Sequence, residues 1–375
     1  MTPKAIASAK RGGTKRGGAK RAAAKGGAKA PVARRRRKAR PWWVELDTEE
    51  LLDVRLCDLE LQVEGSALQA RIERLYAELR RAGLRFKPYV WLSTDWFTPE
   101  DATGFAVPFY LAHPRLVRLE HTQMLEAEGS TLEQCMKILR HETAHALDNA
   151  YLLHKRPDWR KAFGRFSEPY RTDYEPIPTS RSFVQNLGHW YAQSHPAEDW
   201  AETFSVWLAP NSRWRKVYAG WPALKKLEIL DAMMGEIGRK APEQTTRSKE
   251  DSLPRMRTTL REYYRRKKAA YGWDGTWRYD RQLRLVFAPK SESTRRERAS
   301  TFLREHRVQL RARVSALTGT HRYIVDEALD LVIQRCRELE MRLSRPRPQA
   351  KLGAAVLLTV ITMSLAGGGR PRFSR

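Results

Sequence analysis

Residues 132–151 read L-E-Q-C-M-K-I-L-R-H-E-T-A-H-A-L-D-N-A-Y. Within them, His141-Glu142-Thr143-Ala144-His145 forms the pattern H-E-x-x-H. Positions four apart on a helix lie one above the other, so both imidazoles can reach one metal ion. Glu142, beside the first of them, is then placed to take a proton from a metal-bound water. The helix itself is well signalled. Gly129 breaks what precedes it, and Ser130-Thr131-Leu132-Glu133 reads as a capping box with Ser130 at the cap. Leu132, Cys135, Met136, Leu139, Ala146, Leu147 and Ala150 recur at helical spacing, which buries one face.

Two histidines do not complete a zinc site, and a third ligand is needed. Residues 190–204 read W-Y-A-Q-S-H-P-A-E-D-W-A-E-T-F. Ser194 suits a helix cap and Pro196 a first turn. Ala197, Ala201, Phe204 and Leu208 share one face, and Glu198 and Glu202 stand four apart on the next. Carboxylates on a helix this rich in Trp and Phe call for a partner or a metal, because charge is seldom buried alone. Glu198 is the expected third ligand, with Glu202 or Asp199 behind a ligating His. The alternative is a solvated acidic face on a surface helix. His189 and His195 are rival ligands or oxyanion donors.

Taken together, these two stretches resemble the gluzincin metallopeptidases, the group that includes the catalytic domain of anthrax lethal factor and related bacterial zinc-binding metallopeptidases. The resemblance covers about residues 130–210. It implies an α+β fold with a zincin-like core: a small sheet, an edge strand beside the H-E-x-x-H helix, and a second ligand helix. It also implies one Zn2+ held by His141, His145 and Glu198, with Glu142 as general base. Tyr191 would steady the oxyanion or protonate the leaving amine, although an aromatic beside Trp190 equally suits packing. Asp148 matches the family's H-E-x-x-H-A-x-D pattern and, with Glu202, stands as a residue supporting the ligands. A metzincin is excluded, since that pattern needs Gly and His where this chain has Asp148 and Tyr151.

Charge divides the chain of 375 residues unevenly. The net charge is +27, and residues 1–40 carry 15 Lys or Arg and no acid, which leaves +12 for the rest. Paired basic residues recur every five positions from Lys10-Arg11, and Arg34 to Lys38 close the segment. So basic and so poor in apolar residues, the tail is expected to be disordered and to attract nucleic acid or another polyanion. Cys57, Cys135 and Cys336 are widely spaced and odd in number, which favours a reducing cytoplasm over a disulfide framework. No apolar stretch follows the basic start, so no secretory signal is expected. Nucleoid association would follow from the tail.

Residues 41–238 are expected to form the metallopeptidase-like domain, 239–254 a linker or surface loop, and 255–375 a basic, mostly helical region. In the first part, Asp47–Leu56 and Leu68–Arg81 read as helices, the latter with a stripe of Leu68, Ile72, Leu75, Ala77 and Leu79. Arg85–Leu92, Phe105–Leu111 and Arg115–Glu120 read as strands. Pro108 demotes the second to an edge, where an extended peptide could add itself. Residues 164–188 look irregular, and a loop of that length is often functional. Farther on, Arg255–Ala270, Glu292–Val314 and Tyr323–Leu343 read as helices. The last of these shows Ile324, Ala328, Leu331, Val332 and Leu339 on its apolar side. Leu352–Ala366 is apolar but short for a membrane span, so a buried strand or helix is expected. Overall the expected activity is zinc-dependent hydrolysis of peptide or protein substrates. The alternative is a polyanion-binding protein with an inactive peptidase-like core.

Overall fold

The computed structural model describes residues 40–170, 174, 176–188, 190–271, 279–289 and 296–368. The basic tail, His189 and the aromatic stretch 272–278 lie outside the described residues. From Pro41 onward the described residues belong to one unit, which is mostly helical with a small parallel sheet.

The chain opens with a short helix α1 (Thr48–Leu52), closed by a reciprocal capping box between Asp47 and Glu50. The helix expected over Asp47–Leu56 is shorter than its pattern. It stops at Asp53, and Leu56–Leu59 forms a separate 3-10 turn. Helix α2 (Ala67–Arg81) starts on the Ser66 hydroxyl and buries Leu68, Ile72, Leu75 and Leu79. Ala77, expected in that stripe, is only half-buried, and the carboxylate of Glu78 is buried instead.

Strands β1 (Tyr89–Ser93) and β2 (Gly104–Pro108) pair in parallel, Tyr89 opposite Gly104 and Ser93 opposite Pro108. Glycine is required at 104, because a Cβ there would stand 2.2 Å from the Tyr89 carbonyl oxygen. β2 packs beside the H-E-x-x-H helix and is buried along its whole length. The open edge expected there is filled in part by the chain itself. Phe97 bridges Ala106, whose N–H donates to the Phe97 carbonyl at 2.8 Å. Pro108 ends the strand rather than interrupting it, and Phe109–Ala112 turns as a 3-10 segment.

The strand expected over Arg115–Glu120 is a helix, α3 (Pro114–Met124). The His113 ring accepts the Arg115 N–H as a cap, Pro114 occupies the first turn, and Leu116, Leu119, Glu120 and Met124 face inward at helical spacing. Then comes α4 (Leu132–Tyr151), the expected helix with its boundaries intact. Its cap is Thr131, which accepts the Gln134 N–H, and not Ser130; Ser130 still belongs to the preceding turn set by Gly129 in the left-handed region. α5 (Pro157–Phe163) follows, and residues 164–188 contain no helix or strand among the described residues. α6 (Pro196–Leu208) is capped by the His195 ring, which accepts the Ala197 N–H, and not by Ser194. α7 (Trp214–Val217) and α8 (Ala223–Ile237) lie behind it, and α8 ends at Gly238.

Residues 239–254 are no free linker. They are strapped across the sheet: Tyr89 donates to the Ser248 carbonyl, Trp91 to that of Glu250, and Ser93 to that of Asp251. α9 (Leu260–Tyr271) also joins the first core, through Leu260 and Tyr264. Its Lys267 forms a buried pair with Glu120 of α3 at 2.7 Å.

A second core gathers α10 (Asp280–Val286), β3 (Phe287–Ala288), α11 (Ala299–Glu305), α12 (Arg307–Thr318), α13 (Arg322–Glu338), β4 (Arg342–Leu343) and α14 (Arg347–Gly368). The helix expected over Glu292–Val314 is broken at His306 into α11 and α12, and residues 290–295 lie outside the described ones. In α13 the buried stripe is Val325, Ala328, Leu329, Val332, Ile333 and Cys336. It is turned from the expected one because α11, α12 and α14 all pack against this helix. The apolar run 352–366 lies within α14, with Leu357, Leu358 and Ile361 buried. Among the described residues no helix is long and apolar enough to cross a membrane.

Candidate metal centre

α4 and α6 are packed closely against each other, with Ala144 and Ala201 fully buried. The Trp200 indole donates to the Ala144 carbonyl at 3.0 Å, a direct link from one helix to the middle of the other. This packing brings His141, His145 and Glu198 together, with ligand atoms within 4.8 Å of one another. The two Nε2 atoms are 3.2 Å apart. Glu198 Oε2 lies 3.0 Å from His141 Nε2 and 3.5 Å from His145 Nε2.

Those three separations match the edge of a coordination tetrahedron. Bonds of about 2.0–2.1 Å to nitrogen and oxygen give edges of roughly 3.3 Å. Moreover, Oε2 is buried and accepts no hydrogen bond among the described residues, despite two imidazoles at ion-pair distance. The three atoms lie close enough together to share one ion. A buried carboxylate oxygen is seldom left this way. The donor set of two nitrogens and one oxygen therefore fits a divalent metal, with a fourth position for water.

Behind the ligands, His141 Nδ1 donates to Glu202 Oε1 at 2.9 Å. That contact leaves Nε2 as the free lone pair. Glu202 is itself fully engaged, accepting from the Asn186 amide at 2.9 Å and the Leu187 N–H at 2.7 Å. Burial alone would lower the His141 pKa, but the Glu198 and Glu202 carboxylates hold it well above the ordinary value, so a metal taking up Nε2 would displace a proton from it. Burial likewise opposes ionisation of Glu198, and His145 with His141 outweighs it, keeping that carboxyl well below the usual range.

The other expected residues divide. Glu142 is buried, and its Oε2 accepts the Thr98 hydroxyl at 2.8 Å. Tyr191 lies beside His141, ring centres 5.6 Å apart, and burial with the Glu198 charge pushes its phenol well up. It is thus a protonated donor at neutral pH. Asp148 does not reach either ligand histidine; it accepts the N–H of His154 at 2.7 Å and its ring Nδ1 at 2.8 Å, and so ties down the turn after α4. Asp199 pairs with Lys226 rather than with a ligating His. His195 is a strut and not a ligand, because its Nδ1 caps α6 and its Nε2 donates to the Glu168 carbonyl at 2.7 Å.

Two contributors carry no mark in the sequence. Tyr170 donates to Glu198 Oε1 at 2.9 Å and stacks on His195 with ring centres 3.8 Å apart. This engages one carboxylate oxygen and leaves the other for a metal. Thr98 orients Glu142. Both come from irregular segments distant in sequence, where periodicity offers no signal. Compared with known protein families, curated proteins and solved structures, the chain matches none.

Proposed function

We propose that this protein is a zinc-dependent metallopeptidase with a zincin-like core. The reading is carried by the convergence of His141 Nε2, His145 Nε2 and Glu198 Oε2 at tetrahedral spacing beside a buried glutamate. The gluzincin resemblance supports the same residues in the same roles. Zinc bound there would supply a water with a pKa near 7 and a Lewis acid for the scissile carbonyl.

The remaining work falls to the chain. Glu142, steadied by Thr98, accepts the proton of the attacking water and passes it to the leaving amine. Tyr191 donates a hydrogen bond to the developing oxyanion, with Tyr174 nearby as a second phenol, pushed to about 12 by burial and by Glu202 and Glu198. Glu202 keeps His141 in the tautomer that presents Nε2.

The test is digestion of an unbiased peptide library by the zinc-loaded chain and its Glu142→Gln variant. Cleavage by the first, lost by at least 100-fold in the second with zinc content unchanged, is expected of a general base. Equal cleavage by both would rule out that role.

A further inference from the structure

A cavity of about 380 Å³ lies apart from the metal residues, among the start of β1, the last residue of α4 and the strap that follows α8. Arg85, Lys87, Arg239, Lys240 and Arg247 all line it, and among the described residues no acid does. Each of the five is exposed, and none forms an ion pair with a described carboxylate, although Lys87 lies over the Tyr76 ring and Arg247 over that of Tyr89. Elsewhere the arginines are commonly paired, as Arg156, Arg261, Arg307 and Arg335 are. Five like charges around one opening repel one another, and a ligand carrying several negative charges relieves that repulsion.

The backbone that carries these charges is fixed. The Arg85 N–H donates to the Gly238 carbonyl, and the Glu243 and Gln244 N–H groups both donate to the Ala150 carbonyl at the end of α4. Thr103 donates to the Thr246 carbonyl through its N–H and its hydroxyl, and the Tyr151 hydroxyl donates to the Lys240 carbonyl. The rim is therefore organised before any ligand arrives. Gln244 adds a different demand: it lines the cavity, and its side-chain carbonyl oxygen is buried with no partner among the described residues. An oxygen in that state calls for a donor, which a bare phosphate at neutral pH does not readily offer and a base amino group or sugar hydroxyl does.

We infer that this cavity binds single-stranded nucleic acid, with the five cations around the phosphates that enter or flank it and Gln244 on a nucleotide donor group. The site is independent of the peptidase reading and of the basic tail.

The experiment is fluorescence anisotropy of a labelled oligothymidylate of about 20 nucleotides, titrated with the full chain over a range of salt. It is done on a background in which the 15 Lys and Arg of residues 1–40 are replaced by Gln, so that the tail cannot mask the cavity. Combined Arg239→Ala, Lys240→Ala and Arg247→Ala is expected to weaken binding at least tenfold. The slope of log affinity against log salt should become shallower by about 2, at about 0.7 for each phosphate no longer neutralised. Arg85→Ala with Lys87→Ala, on the other rim, should move both readouts in the same direction. Gln244→Leu should leave the salt slope in place while narrowing the preference for the oligonucleotide over inorganic polyphosphate. Unchanged affinity and slope in both alanine variants would overturn the site. So would binding to vesicles of anionic phospholipid without binding to the oligonucleotide, and polyphosphate bound as tightly as the oligonucleotide would overturn the nucleotide assignment.

Discussion

Glu198 and Glu202 are one helical turn apart, yet their surroundings give them different work. Glu198 keeps one oxygen buried without a hydrogen bond among the described residues, and Glu202 spends both of its oxygens on His141, Asn186 and Leu187. Replacing Glu198 by Ala should therefore abolish zinc binding, whereas Glu202→Ala should weaken it by about 10–100-fold through loss of His141 orientation. Competition with a zinc-sensing dye distinguishes these, and equal losses would merge the two roles. Asp148→Ala should leave zinc affinity unchanged, because its partner is His154. Thiol chemistry is a further test at this scale. Burial pushes Cys336 to about 12 and raises Cys135; burial and Asp58 raise Cys57 too, but Cys57 alone of the three is partly exposed, so at pH 8 an alkylating reagent should modify only Cys57 in the folded chain, and slowly. Labelling of all three at equal rates would contradict their burial.

Among the elements, the helix pair that brings His141, His145 and Glu198 together was legible in the sequence because these residues and the apolar stripes share one period. His141 with His145, and Glu198 with Glu202, are each spaced one turn apart. The caps were less legible. Histidine rings begin α3, α6 and α13 by accepting the N–H two residues on, a use of His that the usual preference for Ser, Thr, Asn and Asp overlooks. For α3 the consequence was a helix read as a strand. Tyr170 and Thr98 were illegible for another reason: each reaches the site from an irregular segment, 28 and 44 residues from its partner. The support under α4 was hidden in the same way. Arg140, next to the first ligand, forms a two-point buried pair with Glu78 of α2, at 2.8 and 3.0 Å. Removing one member leaves the other charge buried and unpaired. Glu78→Ala should cost about 3–5 kcal/mol in urea unfolding, and a loss under about 1 kcal/mol would mean that water reaches Arg140.

For the whole molecule, residues 239–254 read as a linker or a surface loop, and the folded chain lays them over the sheet as a strap. The strap 239–254 and α9 complete the first core, and the second core begins with α10. The reason is physical: the polar, proline-bearing stretch looks like a linker, but its carbonyls receive the side-chain hydrogen bonds of β1. Since the metal residues lie within that first core, zinc should stabilise the whole of it by mass action, about 2.7 kcal/mol at 100 times the dissociation constant. A thermal melt of the chain with and without zinc should show the gain, and Glu198→Ala should show none. The most direct test is the zinc content of the purified chain after equilibration with the metal. One zinc per wild-type chain and none in Glu198→Ala is the expected result; no zinc in the wild type, or the same amount in both, would contradict it.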